Sequence, residues 1–336
     1  MPATSALLIS HACQILFGAE LAEVIARLKL PLDVLVLPAD KDARLSAADI
    51  ARIEVAFFSQ DNFPHYSRQF FSSVRKAPNL KWLHVFNVGV DHPIYTEMLE
   101  RGVRLTTSAG TTAEPIAQTA LAGLLMLARG FSHWLKAQAE HRWDPLRLQQ
   151  SPRDLPGQTV LVYGMGQIGA EFARLAQALG MRVIGVRRSP RKADDPVDEM
   201  HTPDQLDVLL PRAEWVMLAC PLTPETRKLI TARRLSLLPK GAYLINIARG
   251  EVIDEAAMIN ALNSGQIAGA YLDVFEQEPL PATSPLWELP NVIVTPHNSS
   301  TAVGNERRVF DYLLRNLEHW KTGAPLLHEV FPVGEK

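Results

Sequence analysis

Three short polar segments carry the side chains of this sequence that are best suited to chemistry. Each segment follows an apolar run that is predicted to be a strand, and together they contain Arg249, Glu278 and His297. A guanidinium group can bind the oxygens of a carboxylate, and an imidazole titrates close to neutral pH and can transfer a proton. A carboxylate hydrogen-bonded to one ring nitrogen would orient the imidazole and favour its protonated form. These residue types together indicate acid–base chemistry on a small organic acid.

Each of these residues, taken alone, also has a purely structural explanation. Arg249 could be an ordinary loop arginine, Glu278 one of two acids in a proline-bounded turn, and His297 a residue at the entry to a helix. Their common position favours chemistry, because the carboxyl ends of strands in an open α/β sheet meet at one edge, where ligands bind. The sequence therefore predicts that the three segments converge.

A glycine-rich turn earlier in the chain predicts a dinucleotide site. Residues 164–169 read Gly-Met-Gly-Gln-Ile-Gly, follow the apolar run 159–163 and open a predicted helix. In such a context the first glycine permits a tight turn, the second lets the backbone approach a pyrophosphate, and the third lets the helix pack on the strand. The alternative is an ordinary glycine-rich turn. The predicted cofactor contacts here are Gly164, Met165, Gly166, Gln167 and Ile168.

The residues after the next predicted strand bear on which nicotinamide cofactor is used. About 20 residues beyond such a turn, NAD enzymes usually place an acidic residue that binds the adenosine ribose. This sequence has Arg187, Arg188 and Ser189 there instead. Guanidinium groups and a hydroxyl can bind a 2′-phosphate through charge-assisted hydrogen bonds. We therefore predict a preference for NADP(H) over NAD(H); the alternative is that the arginines belong to a solvated loop.

The composition is that of a globular protein without a strongly charged surface. The chain has 336 residues, of which 47% are hydrophobic and 21% charged, and its formal net charge is −2. This balance argues against extended disorder, against nucleic acid and against a membrane surface as partners, and favours small soluble ones. Two distant cysteines without metal-ligand spacing predict no metal and a reduced, cytoplasmic location. The N-terminus lacks the features of a secretory signal.

Alternating aliphatic runs and helical patterns predict two α/β domains that position these residues. Strands and helices alternate over residues 7–106, and a second series of predicted strands extends from 160 to 295. We predict Rossmann-like or flavodoxin-like folds with a cleft between them, and a doubly wound parallel sheet in the nucleotide-binding domain. Residues 1–103 and 298–336 are assigned to a substrate-binding domain, and 104–297 to the nucleotide-binding domain.

The glycine turn and the three polar segments, in this order, resemble the D-2-hydroxyacid dehydrogenase family, which includes glyoxylate and hydroxypyruvate reductases. The resemblance covers nearly the whole chain. It implies that Arg249 binds and polarises the substrate, that Glu278 orients the histidine, and that His297 is the general acid/base. The implied reaction is the reversible, NADPH-dependent reduction of a small 2-oxo acid, such as glyoxylate or hydroxypyruvate, to the D-2-hydroxy acid.

The resemblance implies further contacts with substrate and cofactor. Val88 and Gly89, in the loop after the last long strand of the first domain, would offer backbone amides to the substrate carboxylate, or would form only a turn. Asp273 would accept a hydrogen bond from the nicotinamide carboxamide, or would cap the turn that follows it. The other residues expected to border the cofactor are Cys220, Pro221, Thr226, Ile247 and Ala248, with Cys220 packing and not reacting.

Some positions and functions stay open at this level. Gln118 stands where the family often has glutamate, and Trp134 and Trp143 lie in the interdomain connection with undefined roles. The resemblance also implies a homodimer through the nucleotide-binding domain and its long predicted helix 114–129. Two alternative functions are a dinucleotide-sensing interaction protein like the C-terminal-binding corepressors, and a phosphoglycerate-type dehydrogenase.

Overall fold

The chain folds into two compact units. The computed structural model describes residues 4–90, 92–147 and 151–331. One unit comprises Met1–Thr111 with Ala302–Lys336, and the other comprises Thr112–Thr301. Each is built on a largely parallel β-sheet whose strands are connected by helices, so the predicted α/β class is confirmed.

Strands and helices alternate along most of the chain. The strands are β1 (Ser5–Ile9), β2 (Leu32–Val36), β3 (Ile53–Phe58), β4 (Trp82–Val85), β5 (Arg104–Thr106), β6 (Thr159–Tyr163), β7 (Arg182–Val186), β8 (Glu199–His201), β9 (Trp215–Leu218), β10 (Ala242–Asn246), β11 (Ile267–Leu272), β12 (Val292–Val294) and β13 (Glu329–Val330). The helices are α1 (His11–Leu28), α2 (Ala47–Arg52), α3 (Ser67–Lys76), α4 (Pro93–Glu100), α5 (Ala113–Arg129), α6 (Phe131–Ala139), α7 (Gln167–Ala178), α8 (Leu206–Leu209), α9 (Ala232–Leu237), α10 (Glu255–Asn263) and α11 (Asn305–Thr322).

The first unit has a six-stranded sheet in the order β13-β5-β4-β3-β1-β2, in which only β13 runs antiparallel to its neighbour. Its inner strands β1, β3 and β4 are buried, as expected for a sheet covered on both faces by helices. Buried polar side chains of β4 and β5 are linked by hydrogen bonds. The Trp82 indole N–H donates to Thr106 Oγ1 (2.8 Å), which lies 2.7 Å from His84 Nδ1. Burial lowers the pKa of His84 to about 3, so this imidazole is neutral and serves the fold.

The second unit has a seven-stranded parallel sheet in the order β12-β11-β10-β9-β6-β7-β8. From β6 the chain builds outward through β7 and β8, then returns to place β9 on the other side of β6. This doubly wound order makes the carboxyl ends of β6 and β9 a topological switch point, where ligands bind in such sheets. Small residues of α5 and α7, including Ala117, Ala120, Ala173 and Ala176, belong to one buried cluster and let these helices pack closely.

Sequence patterns did not predict several elements, among them β8, β13 and α6. β8 has the sequence Glu-Met-His, and β13 has only two residues; both are edge strands of their sheets, where half-exposed positions need no apolar run. α6 begins directly after Gly130, a left-handed residue that ends α5. No helix within the described ranges is long and apolar enough to cross a membrane.

The unit boundaries differ from the predicted 103/104 and 297/298. β5 pairs with β4 and therefore belongs to the first sheet. For this reason the first unit extends to Thr111. Residues 298–301 stay with the second unit because Asp273 accepts hydrogen bonds from the N–H groups of Asn298 and Ser299. The side chain of Thr119 also donates to the Ser299 carbonyl (3.2 Å).

Candidate active site and cofactor site

Three loops of the second unit bring the predicted catalytic residues to one edge of its sheet. β10, β11 and β12 are neighbours, and both pairings run through to the last residue of each strand. The loops that follow these strands carry Arg249, Glu278 and His297. The strands therefore end level, and the three side chains share the carboxyl edge of the sheet.

His297 and Glu278 form a hydrogen-bonded pair. His297 Nδ1 lies 2.7 Å from Glu278 Oε2, and the Phe275 N–H donates to the other carboxylate oxygen at 3.0 Å. The hydrogen bond to Glu278 raises the pKa of His297, against the opposing effect of burial. Burial acts to raise the pKa of Glu278, but the hydrogen bonds from His297 and Phe275 outweigh it and lower this pKa. The pair thus favours imidazolium beside carboxylate, and His297 Nε2 makes no hydrogen bond to the described residues.

The loop that carries His297 is shaped by Asp273. His297 has a left-handed backbone (φ 50°), which is uncommon for a residue with a side chain and recurs at functional sites. Its N–H donates to the Asp273 carbonyl at 2.8 Å. The Asp273 carboxylate accepts hydrogen bonds from the Thr295 hydroxyl (2.6 Å) and from the N–H groups of Asn298 (2.9 Å) and Ser299 (3.1 Å). The structure buries Asp273 fully and uses its carboxylate to hold the loop; its contact with a nicotinamide stays a prediction.

Arg249 is positioned by the loop after β10. The Asn246 side chain braces this loop, because its amide donates to the Arg249 carbonyl and its oxygen accepts from the Ala248 N–H, both at 3.0 Å. Arg249 Nη1 donates to the Ala248 carbonyl at 2.7 Å. Besides the hydrogen bonds described above, the positive charge of Arg249 acts to lower the pKa of both Glu278 and His297. Arg249 is therefore an electrostatic neighbour of the pair.

Gly250 belongs to the site but is not among the predicted residues. A Cβ at this position would lie 1.8 Å from the carbonyl carbon of Phe275, so only glycine lets the loop after β10 touch the loop after β11. The sequence offers one signal, a glycine directly after Arg249. It does not show that the backbone of another loop lies against that glycine.

The glycine turn has the geometry that a bound pyrophosphate requires. Gly164 has φ 104°, and a Cβ there would lie 2.6 Å from the backbone of both Ala219 and Cys220. A Cβ at Gly169 would lie 2.1 Å from the Gly164 carbonyl oxygen. A Cβ at Gly166, in contrast, would meet no atom within 4 Å, which leaves open space above the N-terminus of α7. Gln167 and Ile168 open that helix, so their N–H groups have no intrahelical acceptor and can bind an anion.

The loop after β9 lies beside this turn and is held by its own side chains. The Thr226 hydroxyl donates to the Pro221 carbonyl at 2.7 Å. Cys220 is buried, and burial raises the pKa of its thiol to about 11, so it packs as the sequence predicts and does not react. Ile247 and Ala248, which follow β10, are also buried. Any contact of these residues with a cofactor would therefore come chiefly from their backbone.

The two arginines after β7 lie in different environments. Arg187 makes a two-bond ion pair with Asp195, at 2.8 and 2.5 Å, and its side chain is only 11% exposed. The sequence predicts a 2′-phosphate contact for Arg187, but the structure uses its guanidinium inside the loop. Arg188 is 73% exposed and lies 3.5 Å from the Glu225 carboxylate. Ser189 is exposed on the same segment.

In the first unit, the predicted substrate loop follows β4. The Asn87 side-chain amide donates to the Gly89 carbonyl, and the Tyr95 hydroxyl donates to Asn87 Oδ1 at 3.0 Å. Val88 between them is exposed. The loop is thus folded by side-chain hydrogen bonds, and binding of a carboxylate by Val88 and Gly89 stays a prediction.

Three residues whose roles the sequence leaves open lie on α5, α6 and the chain that follows. The Gln118 amide donates to Glu114 Oε1 (3.0 Å), one turn earlier on α5. Trp134 packs edge-on against Phe131, and Trp143 is 98% exposed. The structure therefore assigns none of them to the cluster around His297.

Comparison with known proteins gives a consistent result. Residues 121–299 match the sequence profile of the D-isomer specific 2-hydroxyacid dehydrogenase, NAD binding domain. A glyoxylate reductase from Thermofilum pendens is 35% identical over 246 residues, which are 72% of each chain.

Solved structures extend this similarity to the whole chain. A D-isomer specific 2-hydroxyacid dehydrogenase from Xanthobacter autotrophicus, in complex with NADPH and MES, has a TM-score of 0.76 and 33% identity, covering 98% of this chain and 99% of that one. An NADPH-dependent glyoxylate/hydroxypyruvate reductase from Sinorhizobium meliloti, in complex with NADP and sulfate, has a TM-score of 0.74 and 28% identity, covering 98% of both chains.

Proposed function

Because this chain belongs to the D-isomer specific 2-hydroxyacid dehydrogenase family, we propose that it reduces a small 2-oxo acid, such as glyoxylate or hydroxypyruvate, to the D-2-hydroxy acid with NADPH. Family membership makes it an NAD(P)-dependent oxidoreductase. The substrate, the preference for NADPH and the roles of individual residues are the proposal. One observation carries it, namely the His297–Glu278 pair beside Arg249 on the sheet that also holds the glycine turn.

The proposed roles follow from the charges of these three residues. The glycine turn would hold a nicotinamide dinucleotide, which would supply the hydride for the carbonyl carbon of the 2-oxo acid. His297 donates its Nε2 proton to the carbonyl oxygen, and Glu278 keeps the imidazolium stable and oriented until it does so. Arg249 binds the substrate oxygens and stabilises the charge that develops on the carbonyl oxygen. One hydride and one proton complete the 2-hydroxy acid, and neutral His297 takes the proton back in the oxidation.

The residues around the glycine turn fit a dinucleotide with a 2′-phosphate. The open space above Gly166 and the N-terminus of α7 suit a pyrophosphate. The segment after β7 offers an exposed guanidinium and a hydroxyl where an NAD enzyme usually has an acid. The relatives from Xanthobacter and Sinorhizobium, whose structures contain NADPH and NADP, support the same preference.

Replacement of His297 tests the catalytic assignment. We expect His297→Asn to lower kcat for glyoxylate reduction by about 10²- to 10⁴-fold, the usual contribution of a general acid. Asparagine tolerates the left-handed backbone at this position, so the loop should keep its shape. The dissociation constant for NADPH, measured by fluorescence titration, should not change.

A matched control is His133→Asn, which removes an imidazole 3.4 Å from the Asp144 carboxylate of the same unit. This variant should keep the kcat of the wild type. Near-full turnover in His297→Asn, or an equal loss in His133→Asn, would contradict the assignment. A panel of 2-oxo acids with NADPH and with NADH would then identify the preferred substrate and cofactor.

A further inference from the structure

The guanidinium of Arg187 has no N–H group left for a ligand. Its Nη1 and Nη2 donate to the two oxygens of Asp195, its Nε donates to the Ser189 carbonyl (3.1 Å), and Nη2 also donates to the Pro190 carbonyl (2.5 Å). The remaining N–H of Nη1 points to the Met165 carbonyl at 3.5 Å. A guanidinium has five N–H donors, and all five are engaged here.

Asp195 closes the loop that follows β7 around this guanidinium. Its side chain is 6% exposed, and its Oδ2 also accepts a hydrogen bond from the Lys192 N–H at 2.5 Å. The burial of both partners makes their separation costly, since either charge would be left unpaired. Arg187 and Asp195 therefore determine the shape of the loop and are not available to an incoming phosphate.

Arg188 is in the opposite situation. Its side chain is 73% exposed, and its one ion-pair partner among the described residues is Glu225, at 3.5 Å. Glu225 is itself 70% exposed, and its Oε2 accepts a hydrogen bond from the Thr223 hydroxyl at 2.7 Å. A long ion pair between two exposed side chains contributes little free energy and exchanges readily with other ions.

The Arg188–Glu225 pair lies in loops next to the predicted cofactor site. Arg188 follows β7 and Glu225 follows β9, and these two strands flank β6, which leads into the glycine turn. The pair thus joins the two loops on either side of the turn. In sheets of this kind the adenosine end of a dinucleotide lies beyond the strand that follows the turn.

We propose that Arg188 is the residue that selects NADPH, that Glu225 competes with the 2′-phosphate for its guanidinium, and that Arg187 only positions the loop through Asp195. The inference rests on the proposed use of NADPH. A 2′-phosphate is a stronger partner than a carboxylate, because it presents more charge and three acceptor oxygens. Binding of NADPH therefore replaces the Glu225 contact, and NADH has no group that does so.

Direct binding tests the role of Arg188 independently of turnover. Dissociation constants for NADPH and NADH are measured by fluorescence titration on the full chain. We expect Arg188→Gln to weaken NADPH binding by about tenfold or more, as the loss of a charge-assisted phosphate contact does, and to leave NADH binding unchanged. Lys192→Gln removes the same charge from an exposed position of the same loop and should leave both constants unchanged. Retained preference for NADPH in Arg188→Gln, or an equal loss in Lys192→Gln, would overturn the inference.

Glu225→Gln tests the competition. Because an exposed ion pair is worth at most about 1 kcal/mol, we expect NADPH to bind about two- to fivefold more tightly and NADH as before. The amide oxygen introduced by this substitution can still accept the hydrogen bond from the Thr223 hydroxyl, so the loop should be preserved. Weaker binding of NADPH would mean that Glu225 orients Arg188, and would overturn the proposed competition.

A charge-neutral double replacement tests the role of Arg187. Arg187→Gln with Asp195→Asn removes both buried charges and leaves two amides that can hydrogen-bond to each other. This double variant should keep its discrimination between NADPH and NADH, even if its melting temperature falls. Loss of discrimination in a folded double variant would assign the phosphate to Arg187 and overturn the inference alone. Equal affinity of the wild type for both cofactors would overturn the proposed preference as well.

Discussion

The protonation of His297 depends most on its hydrogen bond with Glu278. Glu278 Oε2 lies 2.7 Å from His297 Nδ1, and this contact raises the pKa of His297 and contributes to the lowered pKa of Glu278. In the proposed mechanism, reduction needs the imidazolium form, which is populated below the pKa of His297. The raised pKa would therefore extend the pH range of reduction upward.

The pH dependence of the reaction follows from this direction. We expect kcat/KM for 2-oxo acid reduction to be steady near neutral pH and to fall as the pH rises through a pKa above the ordinary His value of about 6.5. In Glu278→Gln the fall should move to lower pH, because the neutral amide no longer favours the imidazolium. Oxidation of the 2-hydroxy acid should show the opposite pH dependence. An unchanged profile in Glu278→Gln would refute the role of this carboxylate.

At the scale of elements, the glycine turn joins β6 to α7, and each of its three glycines meets a different requirement. Gly164 needs its positive φ and close contact with the loop after β9, and Gly169 needs close contact with the turn itself. Gly166 has neither constraint in the protein alone. We therefore expect that a bound cofactor, and not the fold, would require glycine at this position.

Two alanine replacements separate these constraints. Gly166→Ala should keep the melting temperature of the wild type but weaken binding of both NADPH and NADH strongly, since the new methyl group fills the open space. Gly164→Ala should lower the melting temperature, because a residue with a Cβ at positive φ costs about 1–2 kcal/mol before the clash with Ala219 is added. Thermal unfolding and fluorescence titration measure the two effects. A stable Gly166→Ala variant with normal cofactor affinity would show that the pyrophosphate does not lie over this turn.

At the scale of the whole molecule, the second unit exposes an apolar region after α5. Its residues are Phe131, Trp134, Leu135 and Trp143, all of them exposed. Phe131 and Trp134 are in contact, and exposed apolar groups of this kind can mark interaction surfaces. The homodimer that the family resemblance implies uses this unit and its helix 114–129, and we expect it to cover these residues as well.

Sedimentation equilibrium tests the homodimer. We expect the wild type to sediment as a dimer and a Trp134→Glu/Leu135→Glu variant to dissociate at low protein concentration, because two charges would be buried without partners. Ile15→Glu/Leu16→Glu, which changes two exposed apolar residues of the first unit, should stay dimeric. A wild type that is monomeric at all concentrations would contradict the homodimer.

The sequence by itself determined the class of fold and the position of the reactive side chains along it. Apolar runs specify buried parallel strands, and polar residues directly after these runs must lie at the carboxyl edge of the sheet. This local rule predicts that Arg249, Glu278 and His297 lie at one edge of the sheet. The sequence also predicts the glycine turn at the start of α7. The spacing of the glycines determines a local backbone conformation and does not depend on contact with a distant residue.

Only the tertiary structure decided what each polar group is bound to. Arg187 and Arg188 are adjacent and chemically identical, yet the first is bound by Asp195 and by backbone carbonyls, and the second is exposed beside Glu225. The Asp273 carboxylate also holds the loop of His297, which its residue type alone does not indicate. Folding of the chain, and not spacing along the sequence, brings such hydrogen-bond partners together. The sequence therefore does not show which polar side chains are buried or already hydrogen-bonded.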